Sequence, residues 1–293
     1  MALNLERFNK IIDLSFYTAS GSVKTILCPR HGVKPDIQIN GTYGASLELY
    51  QLHVVVKNLY LDLQQEQYTR LVIRAGYINN LITIEATIYS MFRESPGPDG
   101  TTVIQCQLGK LTSNWLSATV QLQFDKGTNL LKILKSIQKS LGATDVKMGL
   151  MAKTCVLEAP FQFDGSARNA LAELEQLFIS KKLQILMQGT TLCALCLTQG
   201  DFIKSHIVQY MSAPPQMTPG DEAGQWHTMI TAPWMPEVLP GDLLVIPSQV
   251  YINNGVLVGG INKTQMLEVT EMSFHFGTKG SINQMTCSGF IVR

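Results

Sequence analysis

Residues 81–93, LITIEATIYSMFR, decide the fold class. Ile82, Ile84, Ala86 and Ile88 fall on one side of an extended chain, and Thr83, Glu85, Thr87 and Tyr89 on the other. Successive side chains of a strand point to opposite faces, so this period of two predicts a β-strand with one buried face. The following segment, Glu94-Ser-Pro-Gly-Pro-Asp-Gly100, holds prolines that cannot donate to a ladder and glycines that favour turns, and it reads as a loop. Strand character resumes over Thr101–Leu108, which makes a hairpin with a long tip.

The same signals continue upstream. Arg70–Ala75 (RLVIRA) is a short strand that stops at Gly76, Glu48–Leu63 is rich in β-branched and aromatic residues, and Ile37–Tyr43 ends among Gly41 and Gly44. Downstream the period changes. Leu130, Leu131, Leu134, Ile137 and Leu141 recur at helical spacing, with Thr128 or Asn129 placed to cap the start and Gly142 just past the end. A second helix begins at Ser166 and carries Ala167, Ala170, Leu171, Leu174, Leu177 and Phe178. Lys182–Met187 and Thr191–Thr198 then read as two strands across a turn at Gln188-Gly189.

The last third is β again. Met211–Trp226 is a loop of proline, glycine and acid. Leu239-Pro-Gly-Asp242 is a turn that launches Leu243–Ile246, and Asn253-Asn-Gly255 is a hairpin turn between Gln249–Ile252 and Val256–Val258. Leu267–Phe276 alternates, and Met285–Val292 closes the chain as a strand. The expected architecture is α+β, mainly β. Two β-rich domains, 1–116 and 206–293, flank a small α/β domain at 117–205, and the two β blocks could be a duplicated fold.

Composition narrows the function classes. Of 293 residues, 15% are charged, against about 25% in an average domain, and the net charge is +1. Part of the polar surface must be uncharged Gln, Asn, Thr and Ser, or covered by partners. A protein held on DNA by phosphate contacts needs clustered Lys and Arg, which this chain lacks. Lys132, Lys135 and Lys139 form the most basic stretch and read as one solvated helix face. No signal peptide is visible in Met1–Ile12 and no apolar run is long enough for a membrane span, so the expectation is a protein made and kept in a cytoplasm.

Six cysteines, Cys28, Cys106, Cys155, Cys193, Cys196 and Cys287, are scattered through the chain and read as reduced, mostly buried core residues. Cys193-Ala-Leu-Cys196 has zinc-ligand spacing. A structural zinc needs four ligands, no second pair exists, His206 stands alone nearby, and residues three apart on a strand face opposite ways. Among His31, His53, His206, His227 and His275, none has another histidine four residues on. Cys28 and His31 are close in sequence, but a thiol nucleophile and its base normally come from distant segments with a third orienting group. Gly44-Ala-Ser46 begins a hydrolase elbow, yet Glu48 occupies the place of the second glycine. There is no Walker loop, and the glycines of 255–260 lie in a hairpin rather than between strand and helix. No catalytic, cofactor or metal residues are therefore assigned. Trp226 and Trp234 lie in the proline-rich connection; exposed, they would anchor a partner, and buried, they would pin the connection.

Several of these segments together resemble the tail-hub, or baseplate-hub, proteins of tailed bacteriophages. Arg74-Ala-Gly-Tyr77, the strand to Arg93, the turn Gly97-Pro-Asp99-Gly-Thr-Thr102 and the strand ending at Gly109 are similar to that family's first tube-like domain. Phe124-Asp-Lys-Gly127-Thr-Asn-Leu130 leads into a helix ending Leu141-Gly142. Phe163-Asp-Gly-Ser166-Ala-Arg168-Asn-Ala170-Leu171 resembles the family's Gly-Ser-Ala-Arg helix start, Gln184-Ile-Leu-Met-Gln188-Gly189 its strand-turn element, and Leu239-Pro-Gly-Asp242 its second tube-like domain. The similarity spans roughly residues 35–260. It departs from the family at Leu108-Gly109, where Asp-Gly is frequent, and residues 1–30 match nothing in it.

The resemblance implies two tube-like β-barrel or sandwich domains per chain. It also implies a homo-oligomeric ring, usually a trimer, that adapts the tail tube protein to the spike protein beside other baseplate proteins. DNA would pass through the ring's channel without specific binding. The expected setting is the virion tail, assembled in the host bacterial cytoplasm, with no enzymatic activity and no cofactor; the expected lack of a lysozyme-like or peptidoglycan-binding module after Arg293 is a further departure from the family. The alternatives are a tail-associated hydrolase and a carbohydrate-binding β protein.

Overall fold

The computed structural model describes residues 10–27, 36–44, 51–57, 68–77, 80–94, 100–108, 117–188, 190–197, 200–208, 211, 215–219, 226–253, 256–261, 263–279 and 283–292. The N-terminal third supplies β1 (Lys10–Thr18), β2 (Val23–Ile26), β3 (Ile37–Gly44), β4 (Gln51–Lys57), β5 (Tyr68–Tyr77), β6 (Asn80–Arg93) and β7 (Thr101–Leu108). The middle supplies β8 (Thr119–Phe124), α1 (Leu130–Leu141), β9 (Asp145–Met148), β10 (Phe161–Ser166), α2 (Ala167–Leu177), β11 (Leu183–Gln188) and β12 (Thr191–Cys196). The last third supplies β13 (Ser205–Ile207), β14 (Gln216–Pro219), β15 (Trp226–Pro233), β16 (Leu243–Ile246), β17 (Gln249–Asn253), β18 (Val256–Ile261), β19 (Gln265–Gly277) and β20 (Gln284–Val292).

The protein is mainly β, as expected. The alternation in 81–93 becomes β6, with Ile84 and Ala86 buried and Ile82 and Ile88 packed against the same core. A bulge between Ile88 and Ser90 shifts the register, so Met91 rather than Ser90 turns inward. The β6–β7 hairpin forms, its mouth closed by Glu94 N–H donating to Thr101 O at 2.9 Å. Beside it, β5 runs through Gly76 to Tyr77, beyond the expected stop. Gly76 has φ 141, and a Cβ there would lie 2.2 Å from Asn80 O in the tight link to β6.

One sheet of thirteen strands joins the first and last thirds, in the order β14-β15-β20-β19-β3-β4-β7-β6-β5-β1-β2, with β16 and β13 branching from β19. The joint is an antiparallel ladder of β3 with β19, from Gln38↔Gly277 to Gly44↔Glu271. One core follows the joint: Phe16, Ile39, Leu52, Ile73 and Ile104 share a cluster with Ile230, Trp234, Leu267, Phe274 and Phe276. The described ladders do not close on themselves, so the barrel form expected of the tube-like units is corrected to an open sheet. The physical reason is that β3 and β19 pair with each other across the two blocks, where closed barrels would pair each edge within its own block.

Other elements also depart from expectation. β1 and β2 occupy part of the unmatched first thirty residues, and β1 lies between β5 and β2. The supposed loop 211–226 contains β14, and the connection between the tryptophans is β15, which pairs along its length with β20. The Gly-containing tip of the β17–β18 hairpin and the 95–99 loop lie outside the described residues.

The middle segment packs separately. Of the two expected caps, Thr128 and Asn129, it is Asn129 that accepts the Leu131 N–H at 2.7 Å at the start of α1, and Gly142 takes the left-handed conformation at its end as the sequence predicts. Ser166 caps α2 in the same way, accepting from Asn169 N–H at 3.2 Å. Lys132, Lys135 and Lys139 are exposed, the solvated face expected. Leu177 was expected on the buried face but is 53% exposed, because α2 ends there and Phe178 turns inward instead. α1 packs on β8 and β9, α2 on β10 and β11, and their apolar faces meet Val120, Leu122, Ile185 and Leu192 in a core drawn from residues 120–196. β12 lies between β11, antiparallel to it, and β9, parallel to it.

Candidate functional site: the sheet seam and its buried carboxylates

Alternation along β3, β19 and β20 turns Ile39, Phe274 and Met285 inward and leaves Asn40, His275 and Gln284 on the other face. Register then aligns these polar residues. Pro233, Gln284, His275, Asn40, His53, Gln105 and Ser90 are successive partners across seven strands. Beside them run Thr231, Thr286, Ser273 and Thr42. Neither row holds Lys, Arg, Asp or Glu. The His275 imidazole hydrogen-bonds the Asn40 side chain across the seam. A shallow groove of about 320 Å³ opens here, bounded by Asn40, Thr42, Ser273, His275, Gln284 and Thr286. Beneath it Phe274 is held between Trp234 (centroids 5.1 Å apart) and Tyr43 (5.6 Å), and Phe276 packs on Trp234 as well.

Two buried carboxylates organise this region: Asp201 ties parts of the middle segment to one another, and Asp242 meets that segment at the sheet. Asp201, 2% exposed, accepts backbone N–H bonds from Met151 (3.1 Å), Ala152 (3.0 Å) and Cys196 (3.0 Å). It approaches so closely that a Cβ on Gly149 would lie 2.1 Å from its oxygen. Asp242, 1% exposed, closes the Leu239–Asp242 turn by accepting the Leu239 N–H at 3.1 Å, and it meets His206 Nε2 at 3.0 Å. Gln188 reaches over from β11 and donates to Pro240 O at 2.7 Å and toward Asp242 at 3.3 Å. Gly241 lets the turn lie on Leu186 and Leu195, the second face of the β11–β12 pair.

The residues singled out in the sequence go to different places. Cys193 and Cys196 face opposite sides of β12: Cys193 joins Leu186 and Leu195, and Cys196 joins the helix-side core. Burial holds the Cys193 thiol protonated, pushing it up to about 12, and the same cause does this to Cys106 and Cys287. His206 pairs with Asp242 rather than with a cysteine pair. His53 and His275 lie on the polar row, and His227 packs edge-on against Phe290 at 5.6 Å. Trp234 is buried at 2% exposure, so it pins the connection. Cys28, His31, Ser46, Glu48, Trp115 and the Trp226 side chain lie outside the described residues. Among the described residues no group of three or more His, Cys, Asp or Glu is placed to hold a metal ion, and no helix is long and apolar enough to cross a membrane.

Sequence reasoning missed Asp201, Cys155 and the polar row. Asp201 had one weak signal, a single acid after Gly200 between apolar stretches. The row had another, the recurrence of Ser, Thr, Asn and Gln at alternate positions of β3, β19 and β20.

This open sheet, with a helix-bearing segment between its halves, is the fold of phage tail proteins, in agreement with the tail-hub resemblance carried by the sequence motifs. The 43 kDa tail protein of prophage MuSo2 from Shewanella oneidensis superposes with a TM-score of 0.56 at 11% identity, over 97% of each chain. The tail protein from Neisseria meningitidis MC58 does so with a TM-score of 0.56 at 8% identity, over 96% of each chain. The E. coli c3393 protein is a type VI secretion component described as similar to the T4 bacteriophage tail proteins gp27 and gp5. It matches at 0.55 and 9% identity, over 89% of this chain and 75% of its own. No family model matches the sequence, and no curated protein matches it.

Proposed function

We propose that the chain is a structural, non-enzymatic component of a phage-type tail baseplate: a hub that forms a homo-oligomeric ring, a trimer in the simplest form, between tail tube and spike proteins. The observation that carries this reading is the seam. One sheet runs without interruption from the first β block into the last, and at the seam its solvent face carries two rows without Lys, Arg, Asp or Glu, with Glu271 on the adjoining row and Lys57, Arg70 and Arg74 farther out on the same face. A wall past which DNA moves must be wetted yet must not bind phosphate, because each cationic contact would hold the strand. The domains are read as 1–116 and 206–293, each contributing a tube-like half of that wall, with 117–205 mounted on it through Gln188, which reaches Pro240 and Asp242. Similar folds in tail proteins and in a type VI secretion component support the same reading. Assembly in the host cytoplasm and residence in the virion tail follow from it.

The test is the assembly state of the pure chain, alone and mixed with tail tube and spike proteins. Light scattering and electron microscopy are expected to show closed rings with a central opening. A monomer under all of these conditions would remove the hub reading. The carbohydrate-binding alternative needs exposed aromatics on one rim, such as Trp226 and Trp234, and Trp234 lies inside the core.

A further inference from the structure

The cysteine pair that matters is not the one spaced Cys-x-x-Cys. Cys155 follows a 3-10 turn (Ala152–Thr154), and Cys196 ends β12. Both are fully buried in the helix-side core, and both are free thiols. Asp201 brings them together: a single oxygen, Oδ2, accepts the N–H of Ala152 and that of Cys196. The turn is tied into the same place by Cys155 N–H donating to Ala152 O at 3.1 Å and by Leu130 N–H donating to Cys155 O at 3.0 Å. The two thiols lie within hydrogen-bonding reach of each other.

We infer that Cys155 and Cys196 form a redox-convertible site, reduced in a reducing cytoplasm and closing to a disulfide that staples the 149–155 turn to β12 when the chain meets a small-molecule disulfide. In the first step the Cys155 thiolate attacks one sulfur of the oxidant, the oxidant's S–S bond breaks, and one thiolate leaves. In the second, Cys196 loses its proton and attacks the Cys155 sulfur of the mixed disulfide, and the second thiolate leaves. Two protein thiols are oxidised, one oxidant disulfide is reduced to two thiols, and the protons balance. The hydrogen bond with Cys196 lowers the Cys155 thiol, against the burial that raises it. Cys196 is raised in turn, first by that hydrogen bond and then by burial. Cys155 stands at the end of the turn beside the exposed Val156, which suits it as the attacking group, and Cys196, at the end of β12, as the resolving one. Access comes by local opening of the turn, whose Leu150, Met151 and Val156 are 75%, 43% and 43% exposed. The site does not depend on the hub reading, because the chemistry belongs to the single chain.

The experiment uses the full chain. It is incubated with oxidised glutathione, and in parallel with reduced glutathione, in buffer and in urea below the unfolding midpoint. It is then denatured, alkylated with a mass tag and mapped by peptide mass spectrometry. The expected result is loss of two alkylatable thiols, a single cross-link joining Cys155 to Cys196, and a rise in Tm of about 5 °C or more. Cys193→Ser is expected to leave the cross-link intact, and Cys196→Ser to leave a glutathione adduct on Cys155. Retention of all free thiols in both buffers, or a cross-link that involves Cys193, would overturn the inference.

Discussion

Asp201 shows how much one side chain can organise. Its carboxylate replaces water for three backbone amides, two of them fully buried. Asp201→Ala strands those donors, at about 1 kcal/mol or more each, so chemical denaturation is expected to show a loss of about 3 kcal/mol. Asp201→Asn, which keeps one acceptor oxygen, loses less. Glu175 gives the opposite case. Burial raises its pKa, and the Ile185 N–H donated at 2.6 Å offsets this only in part. A carboxylate raised on folding binds its proton more tightly in the native state, so its ionisation lowers stability as pH climbs through and above the ordinary carboxylate range. Glu175→Gln keeps the acceptor without the charge. Its Tm is expected to exceed wild type at pH 7, with the difference closing as the pH falls below the unfolded-state value. An equal difference at acid and neutral pH would contradict this.

At the scale of elements, the seam depends on a missing side chain. Gly41 of β3 faces Phe274 across the ladder, and a Cβ there would lie 2.4 Å from the ring, which Trp234 and Tyr43 hold in place. Gly41→Ala is expected to cost about 1–3 kcal/mol and to speed amide exchange in β3 and β19 before other strands; uniform destabilisation would argue against a seam-specific effect. Helices are the elements most legible in the sequence. α2 was readable to the residue at its start and α1 to within one, Thr128 or Asn129, because caps are local: Asn129 and Ser166 satisfy amides two or three residues away. β8, β9 and β10 were not legible, because short strands are defined by partners such as Val120↔Gly165 and Leu192↔Val146 that lie far along the chain. β14 failed for a related reason. Its one proline and its polar residues look like a loop, and only the ladder to β15 makes it a strand.

For the whole molecule, the shared core couples the chain's ends. Phe16, Ile39 and Ile104 pack in one cluster with Phe274, Phe276 and Cys287, while the middle segment has its own. Hydrogen exchange followed through a denaturant series is expected to show β3, β4 and β19 opening together, and α1, α2 and β12 opening as a separate unit. Independent opening of the first and last thirds would show that the seam carries little energy. A chain cut after residue 205 exposes the edge of β3 and the face of Phe16 and Ile39, and it is expected to aggregate where the full chain stays soluble.

The sequence alone determined the local facts about the open sheet that began with residues 81–93: a period of two, a period of 3.6, caps, turns such as Leu239–Asp242, and a surface poor in charge. These are set by neighbours within a few residues, where steric and hydrogen-bond rules act directly. The joining of β3 to β19, the polar row made by Asn40 and His275, the meeting of Cys155 with Cys196, and the role of Asp201 were decided only by tertiary structure. Each joins residues distant in the chain, and their meeting depends on which strand edges and apolar faces bury each other best, a choice no local pattern records.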